Sequence, residues 1–144
     1  MVDPVLYLPA SRLDRHRLVK WRMRWLPPFP SPNCCCGAQE IRREHYNTCY
    51  LISFEKEKLI DTFGEIPELP LKMHFVDYIL NSLPRHEVGL TMGKWKDAWP
   101  ALIRYLREVD YLCHPDGDFD EIEPAPEEAL SIPPPMANQP PTQQ

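Results

Sequence analysis

Apolar residues recur at helical spacing between Lys94 and Cys113. Large side chains there are three or four residues apart, which places them on one face of an α-helix. The positions are Trp95, Trp99, Leu102, Leu106 and Val109. Pro100 interrupts the stretch, and a helix accommodates it only as a kink or in the first turn. The pattern predicts one long amphipathic helix.

Three further segments have helical patterns with recognisable ends. Ser11 is a suitable N-cap for a helix from Arg12 to Trp25, which would stop before the following Pro-Pro pair. Gly64 would end a helix from 54 to 63, and Pro84 would close another from 73 to 83. No segment alternates well enough to be a strand. The sequence predicts a mostly α fold: a small helical domain.

The helix after Ser11 is basic as well as amphipathic. Leu18, Trp21 and Trp25 share one face, whereas the cationic side chains project elsewhere. These cations are Arg12, Arg15, Arg17, Lys20, Arg22 and Arg24. Arginine beside tryptophan is typical of surfaces that hold phosphates and stack bases. The pattern also fits a docking helix whose tryptophans are in the core and whose arginines are merely solvated.

Composition divides the chain into three parts. Residues 1–33 combine the basic helix with a proline-rich spacer, LPPFPSPN. Residues 34–114 contain the cysteines and the remaining helices. Residues 115–144 are acidic and rich in proline, with few large apolar side chains, so we expect a disordered tail.

The cysteine content argues against a disulfide framework. The total of five is odd, and Cys34, Cys35 and Cys36 are consecutive, which is poor geometry for bridging. A reducing compartment fits better, so we expect an intracellular protein of the nucleus or cytoplasm. No stretch approaches the roughly 18 consecutive apolar residues of a spanning helix, and we expect no membrane segment.

The stretch NCCCGAQEIRREHYNTCY has the spacing of a metal site. A C-x-C turn is followed by His45 and Cys49, which would project from one face of a helix. Three thiolates and one imidazole suit the tetrahedral preference of Zn²⁺. We therefore predict one structural zinc held by Cys34, Cys36, His45 and Cys49 in a turn-helix resembling a zinc knuckle. Cys35 could replace either turn ligand, and the cysteines could instead be buried small hydrophobes.

CCCGAQEIRREHYNTC resembles the cysteine–histidine box at the C-terminal end of non-LTR (LINE-type) retrotransposon reverse transcriptases. In that box C-x-C-G is followed by a Glu, an E-H pair and a closing Cys. The segments SRLDRHRLVKWRMRWLP and WKDAWPALIRYLREVDYLCHPDGDF are similar to the flanks of the box in fungal elements. The resemblance covers about residues 11–119, and the box is its most specific part.

The resemblance implies a zinc-knuckle-like element that binds RNA or single-stranded DNA behind a polymerase domain. Arg42 and Arg43, inside the box, then join the six cations of the basic helix as candidate nucleic-acid contacts. The chain has no polymerase aspartate pair and no palm-sized region, so we expect a noncatalytic role. The competing hypothesis is a helical remnant that docks a protein through its apolar faces, without metal or nucleic acid.

The composition of residues 115–144 generates a first prediction. Removing them after His114 should leave the midpoint of thermal unfolding nearly unchanged, because the segment has too little apolar surface to contribute a core. Thermal unfolding followed by circular dichroism measures this. A fall of more than a few degrees would mean that the tail packs on the domain.

Overall fold

The computed structural model describes residues 2–114, and the predicted tail at 115–144 lies outside the described part. Four α-helices follow one another, and 3-10 helices lie at Pro4–Leu6, Arg43–Asn47 and Glu87–Thr91. The α-helices are α1 (Arg12–Arg22), α2 (Ser53–Phe63), α3 (Phe75–Asn81) and α4 (Trp95–Cys113). Residues 2–114 contain no strand, and the predicted mostly α fold is confirmed.

Helix α1 ends three residues earlier than predicted. Ser11 caps its first turn as expected, by accepting a hydrogen bond from the backbone N–H of Asp14. At the other end, the N–H of Trp25 donates to Lys20 and the N–H of Arg24 to Trp21. These two bonds form a Schellman motif, which reverses the chain. Trp25 therefore does not share the buried face of α1 and is instead exposed.

Helix α3 ends at Asn81, two residues before the predicted end, and it begins two residues later than predicted because His74 caps it. The His74 Nδ1 accepts from the N–H of Val76, and the Asp77 carboxylate accepts from the N–H of His74. Burial lowers the pKa of His74 to about 4, so the ring is neutral near pH 7 and Nδ1 is available as an acceptor. The capping box fixes the first residue of the helix.

Helix α4 is the centre of the domain. Twelve of its 19 residues are buried, so it contacts neighbours on more than one face. It packs most extensively on α2 and next on α1. Pro100 lies beyond the first turn, inside a helix that continues to Cys113. Within residues 2–114, no helix is both long and apolar enough to cross a membrane.

The segment before α1 is fastened to the helical body by polar contacts. The Trp99 indole Nε1 donates to the carbonyl of Pro9 at 3.1 Å. The Arg15 guanidinium donates to the carbonyls of Val5 and Leu8. Arg15 therefore satisfies backbone groups of its own chain, a use that the charge pattern did not reveal.

A network of buried charges joins α1 to α4. Arg17, only 1% exposed, pairs with Asp14 at 2.9 Å and with Asp110 at 2.8 Å. Arg107 contacts the second oxygen of Asp14 at 2.6 Å. Arg17 was predicted as a nucleic-acid contact, but its side chain is buried and enclosed by two carboxylates, so a phosphate cannot reach it. Its partner Asp110 is 93 positions away in the sequence, so no local pattern reveals the pairing.

The network generates a stability prediction. Asp14→Asn should lower the free energy of unfolding by about 3–5 kcal/mol, because the buried charge of Arg17 and the partly buried charge of Arg107 then have one carboxylate fewer. Urea unfolding followed by circular dichroism measures the change. Asp61→Asn, on the exposed side of α2, is the matched control and should stay within about 0.5 kcal/mol of the parent. Equal effects of the two substitutions would contradict a stabilising role for the network.

Candidate metal centre

Two ligand residues lie in a tight turn closed by backbone hydrogen bonds. The N–H of Cys34 donates to Ala38, and the N–H of Gly37 donates back to Cys34 at 2.9 Å. Gly37 has a φ of 108°, a conformation that side chains disfavour, and a glycine there permits the reversal. A further bond from Ile41 to the carbonyl of Pro32 closes the base of the loop.

A 3-10 helix, rather than the predicted α-helix, brings the other two candidate ligands together. His45 lies in the 3-10 helix Arg43–Asn47, and Cys49 follows the end of that helix. The N–H of Cys49 donates to the carbonyl of His45 at 3.0 Å. This single i to i+4 bond places both side chains on one side, so the predicted juxtaposition is present although the α-helix is not.

The four side chains converge on one point. Their ligand atoms all lie within 4.8 Å of one another, so Cys34, Cys36, His45 and Cys49 are close enough to hold a metal ion. We refer to these four side chains as the cluster. The Sγ atoms of Cys34 and Cys49 are 3.7 Å apart, and the Cys36 Sγ is 3.5 Å from the His45 Nε2. A tetrahedral zinc with ordinary bond lengths requires edges of about 3.8 Å for S···S and about 3.6 Å for S···N. The two measured separations are therefore edges of a suitable size.

The protonation of the donors depends on their surroundings. Burial raises the pKa of Cys34 to about 12, whereas a hydrogen bond from the backbone of Ala38 lowers the pKa of Cys36. Burial also lowers the pKa of His45, which keeps its imidazole neutral and able to donate a lone pair. A metal ion must displace the proton of Cys34, so metal affinity should fall as the pH falls.

The remaining cysteines lie outside the cluster. The thiol of Cys35 is exposed, and this leaves Cys34 and Cys36 as the pair that faces His45 and Cys49. Cys113 is buried at the end of α4, where its sulfur is 3.0 Å from the hydroxyl of Tyr46. That contact ties the segment after the cysteine turn to the central helix.

Arg43 connects the cluster to the helical body. Its guanidinium makes two hydrogen bonds to the Asp77 carboxylate, at 2.9 and 3.0 Å, and a third to the carbonyl of Trp21. It also lies over the Trp21 ring, 4.2 Å from the centroid, while the indole N–H donates to Asp77. Arg43 thus joins the cysteine–histidine cluster to α1 and α3.

The eight predicted nucleic-acid contacts differ in how exposed they are. Arg15, Arg17 and Arg43 make the contacts described above. The Lys20 amino group lies 3.7 Å from Asp110. Arg22 pairs with Asp3 and donates to Asn81. These five are engaged within the chain, and Arg12 also has an interaction there. The side chains of Arg12, Arg24 and Arg42 are exposed.

Sequence reasoning missed two residues of this region. Lys72 is exposed and lines the same grooves as Arg24, although it lies 48 positions along the chain. Asp77 looked like an ordinary polar position within a helix, yet it holds Arg43 and Trp21 together. No local signal marks Lys72 as a neighbour of Arg24, since only the packing of α1 and α3 brings them together.

Comparison of the chain with protein-family models, with curated proteins and with solved structures yields no match. Function is therefore inferred from the residues and geometry of the chain itself.

The geometry of the cluster generates a prediction about individual ligands. Cys35→Ser should retain one bound metal per chain, because its thiol lies outside the cluster, whereas Cys36→Ser should lose most of it. Native mass spectrometry after purification without added metal gives the stoichiometry, and cobalt absorption reports tetrahedral thiolate coordination. Equal tolerance of Cys35→Ser, Cys36→Ser and His45→Ala would contradict the predicted ligand set.

Proposed function

We propose that the cluster holds one Zn²⁺ and that the domain binds RNA or single-stranded DNA without catalysing a reaction. The observation that carries the metal assignment is the convergence of three thiols and one imidazole within 4.8 Å. Soft sulfur ligands with one imidazole favour zinc over magnesium or calcium, which prefer oxygen.

The role of the metal is structural in this proposal. Four protein side chains complete a tetrahedron and leave no position for a water or a substrate. Cys34 and Cys49 are 5% and 4% exposed, so the ion would be enclosed on that side. Its effect would be to fasten the cysteine turn to the segment that contains Arg42 and Arg43.

Nucleic acid is proposed as the partner on two grounds. The first is the resemblance of the cysteine–histidine box to that of LINE-type reverse transcriptases, in which the box follows the polymerase domain. The second is a group of exposed cations, Arg24, Arg42 and Lys72, that line one groove beside the cluster. Exposed cations neutralise phosphates and release condensed counterions.

The competing hypothesis is a protein-docking domain, and one observation favours it. Phe54 on α2 is 70% exposed and lines a cavity of about 670 Å³ against α4, together with Pro100 and Ala101. Charged side chains, among them Lys58 and Asp97, line the same cavity. An apolar interface there would be strengthened rather than weakened by salts such as sulfate.

Salt dependence separates the two hypotheses. We expect the affinity for a fluorescent 20-nucleotide single strand to fall as salt rises, with a logarithmic slope of about −2 if three cations contact phosphates. Fluorescence anisotropy between 50 and 300 mM salt measures the slope, with the zinc-loaded protein and with chelator-treated protein. Affinity that follows metal occupancy supports a role for the cluster in placing the cations. Absence of binding at low salt by the zinc-loaded chain would overturn the nucleic-acid proposal.

A further inference from the structure

Two adjoining grooves run along the surface beside Arg43. One has a volume of about 380 Å³ and is bordered by α3 and the turn before it. The other has a volume of about 430 Å³ and is bordered by the proline-rich segment and the middle of the cysteine–histidine box. Arg24, Arg43 and Lys72 line both, so the two cavities lie side by side. We refer to the two together as the joined groove.

The joined groove is lined mainly by positive charge. Its cations are Arg22, Arg24, Arg42, Arg43 and Lys72, against the acids Glu44 and Asp77. Asp77 is already paired with Arg43. An anion in the groove would relieve the repulsion among its cations.

Arg24 occupies a backbone position that normally favours glycine. It is the residue at which the Schellman motif after α1 reverses the chain, and its φ is 63°. Glycine is usual at that position because a Cβ disfavours left-handed backbone. An arginine there costs conformational energy that a glycine would avoid.

Lys72 repeats the same exception in a different turn. The N–H of Met73 donates to the carbonyl of Pro70, and Lys72 is the third residue of this turn, with a φ of 76°. A type II turn requires a positive φ at that position and favours glycine or asparagine. Both turns therefore have a long cationic side chain at a position whose backbone conformation favours glycine. Both of these side chains line the joined groove. Such unfavourable backbone positions are concentrated at functional sites.

An aromatic side chain stands at the edge of the joined groove. Phe29 is 93% exposed and lines the groove with Pro27 and Pro28. A phenyl ring beside cations is the combination on which unpaired bases stack while their phosphates are neutralised. A duplex hides the faces of its bases, and an acidic peptide offers no planar face to the ring. The chemistry therefore favours a single strand.

We infer that the joined groove is a single-stranded nucleic-acid site in which Arg24 and Lys72 hold neighbouring phosphates and Phe29 stacks a base. The inference rests on the proposed nucleic-acid binding and adds its location. It also gives a reason for the left-handed backbone conformation of these two cations. Each turn retains a positively charged side chain at the cost of backbone strain.

The test exploits the glycine preference of the two turns. Arg24→Gly and Lys72→Gly remove a charge and also relieve the strained backbone, so the unfolding midpoint should stay the same or rise. Affinity for a 20-nucleotide thymidine strand should nevertheless fall at least threefold for each and tenfold or more for the double variant. The salt slope should become shallower by about 0.7 for each phosphate that the variant no longer neutralises. Lys96→Ala removes an exposed cation that lines neither groove, and it should leave affinity nearly unchanged.

The aromatic side chain has its own variant and readout. Phe29→Ala should weaken binding of the strand without changing the salt slope, whereas Phe29→Trp should retain it. Metal content, measured in parallel, should be the same in all variants, because none of them removes a ligand of the cluster.

The possible outcomes distinguish the inference from the function on which it rests. If the parent protein binds the strand and the two glycine variants bind equally well, the joined groove is the wrong site, although nucleic-acid binding stands. If the parent protein does not bind, the proposed function itself fails. Equal affinity for a duplex, or equally effective competition by polyglutamate, would overturn the assignment of a single strand.

Discussion

The guanidinium of Arg43 is the contact on which the arrangement of this domain depends. It bonds to both oxygens of Asp77 and stacks on Trp21, so one side chain holds the cysteine–histidine box against α1 and α3. A planar, bidentate cation suits this junction better than a lysine would, since it fixes orientation as well as distance. Because Arg43 also lines both parts of the joined groove, the same contact that assembles the domain positions the proposed binding surface.

The basic residues of the chain serve two purposes that their charge does not distinguish. Arg17 and Arg43 have carboxylates within 3 Å and stabilise the packing of helices. Arg24 and Lys72 are exposed and extend from turns whose backbone geometry favours glycine. Ion pairing within the chain determines which cations can bind a ligand. A guanidinium enclosed by carboxylates is already neutralised, so it cannot release counterions from a phosphate.

The region between α1 and α2 has few stabilising interactions of its own, so a bound metal would contribute to its folding. Residues 23–52 contain one 3-10 helix of five residues and otherwise depend on turns, so few backbone hydrogen bonds hold them. The core there is limited to scattered side chains such as Leu26, Ile41 and Tyr46. A four-ligand ion would connect the cysteine turn to His45 and Cys49 and add folding energy that such a small core cannot supply. Protons compete for the same thiols, so the stability of the region would depend on pH.

Much of the helical fold and of the candidate ligand set follows from local sequence patterns. The periodicity of α4, the Ser11 cap, the Gly64 stop and the C-x-C spacing with His45 and Cys49 are all local, and each matches the structure to within a few residues. Only the tertiary structure decided the pairing of Arg17 with Asp110, the bond from Arg43 to Asp77 and the position of Arg24 and Lys72 along the same groove. The physical reason is that hydrophobic period and turn chemistry act over a few residues, whereas the partner of a charge depends on which helices pack together.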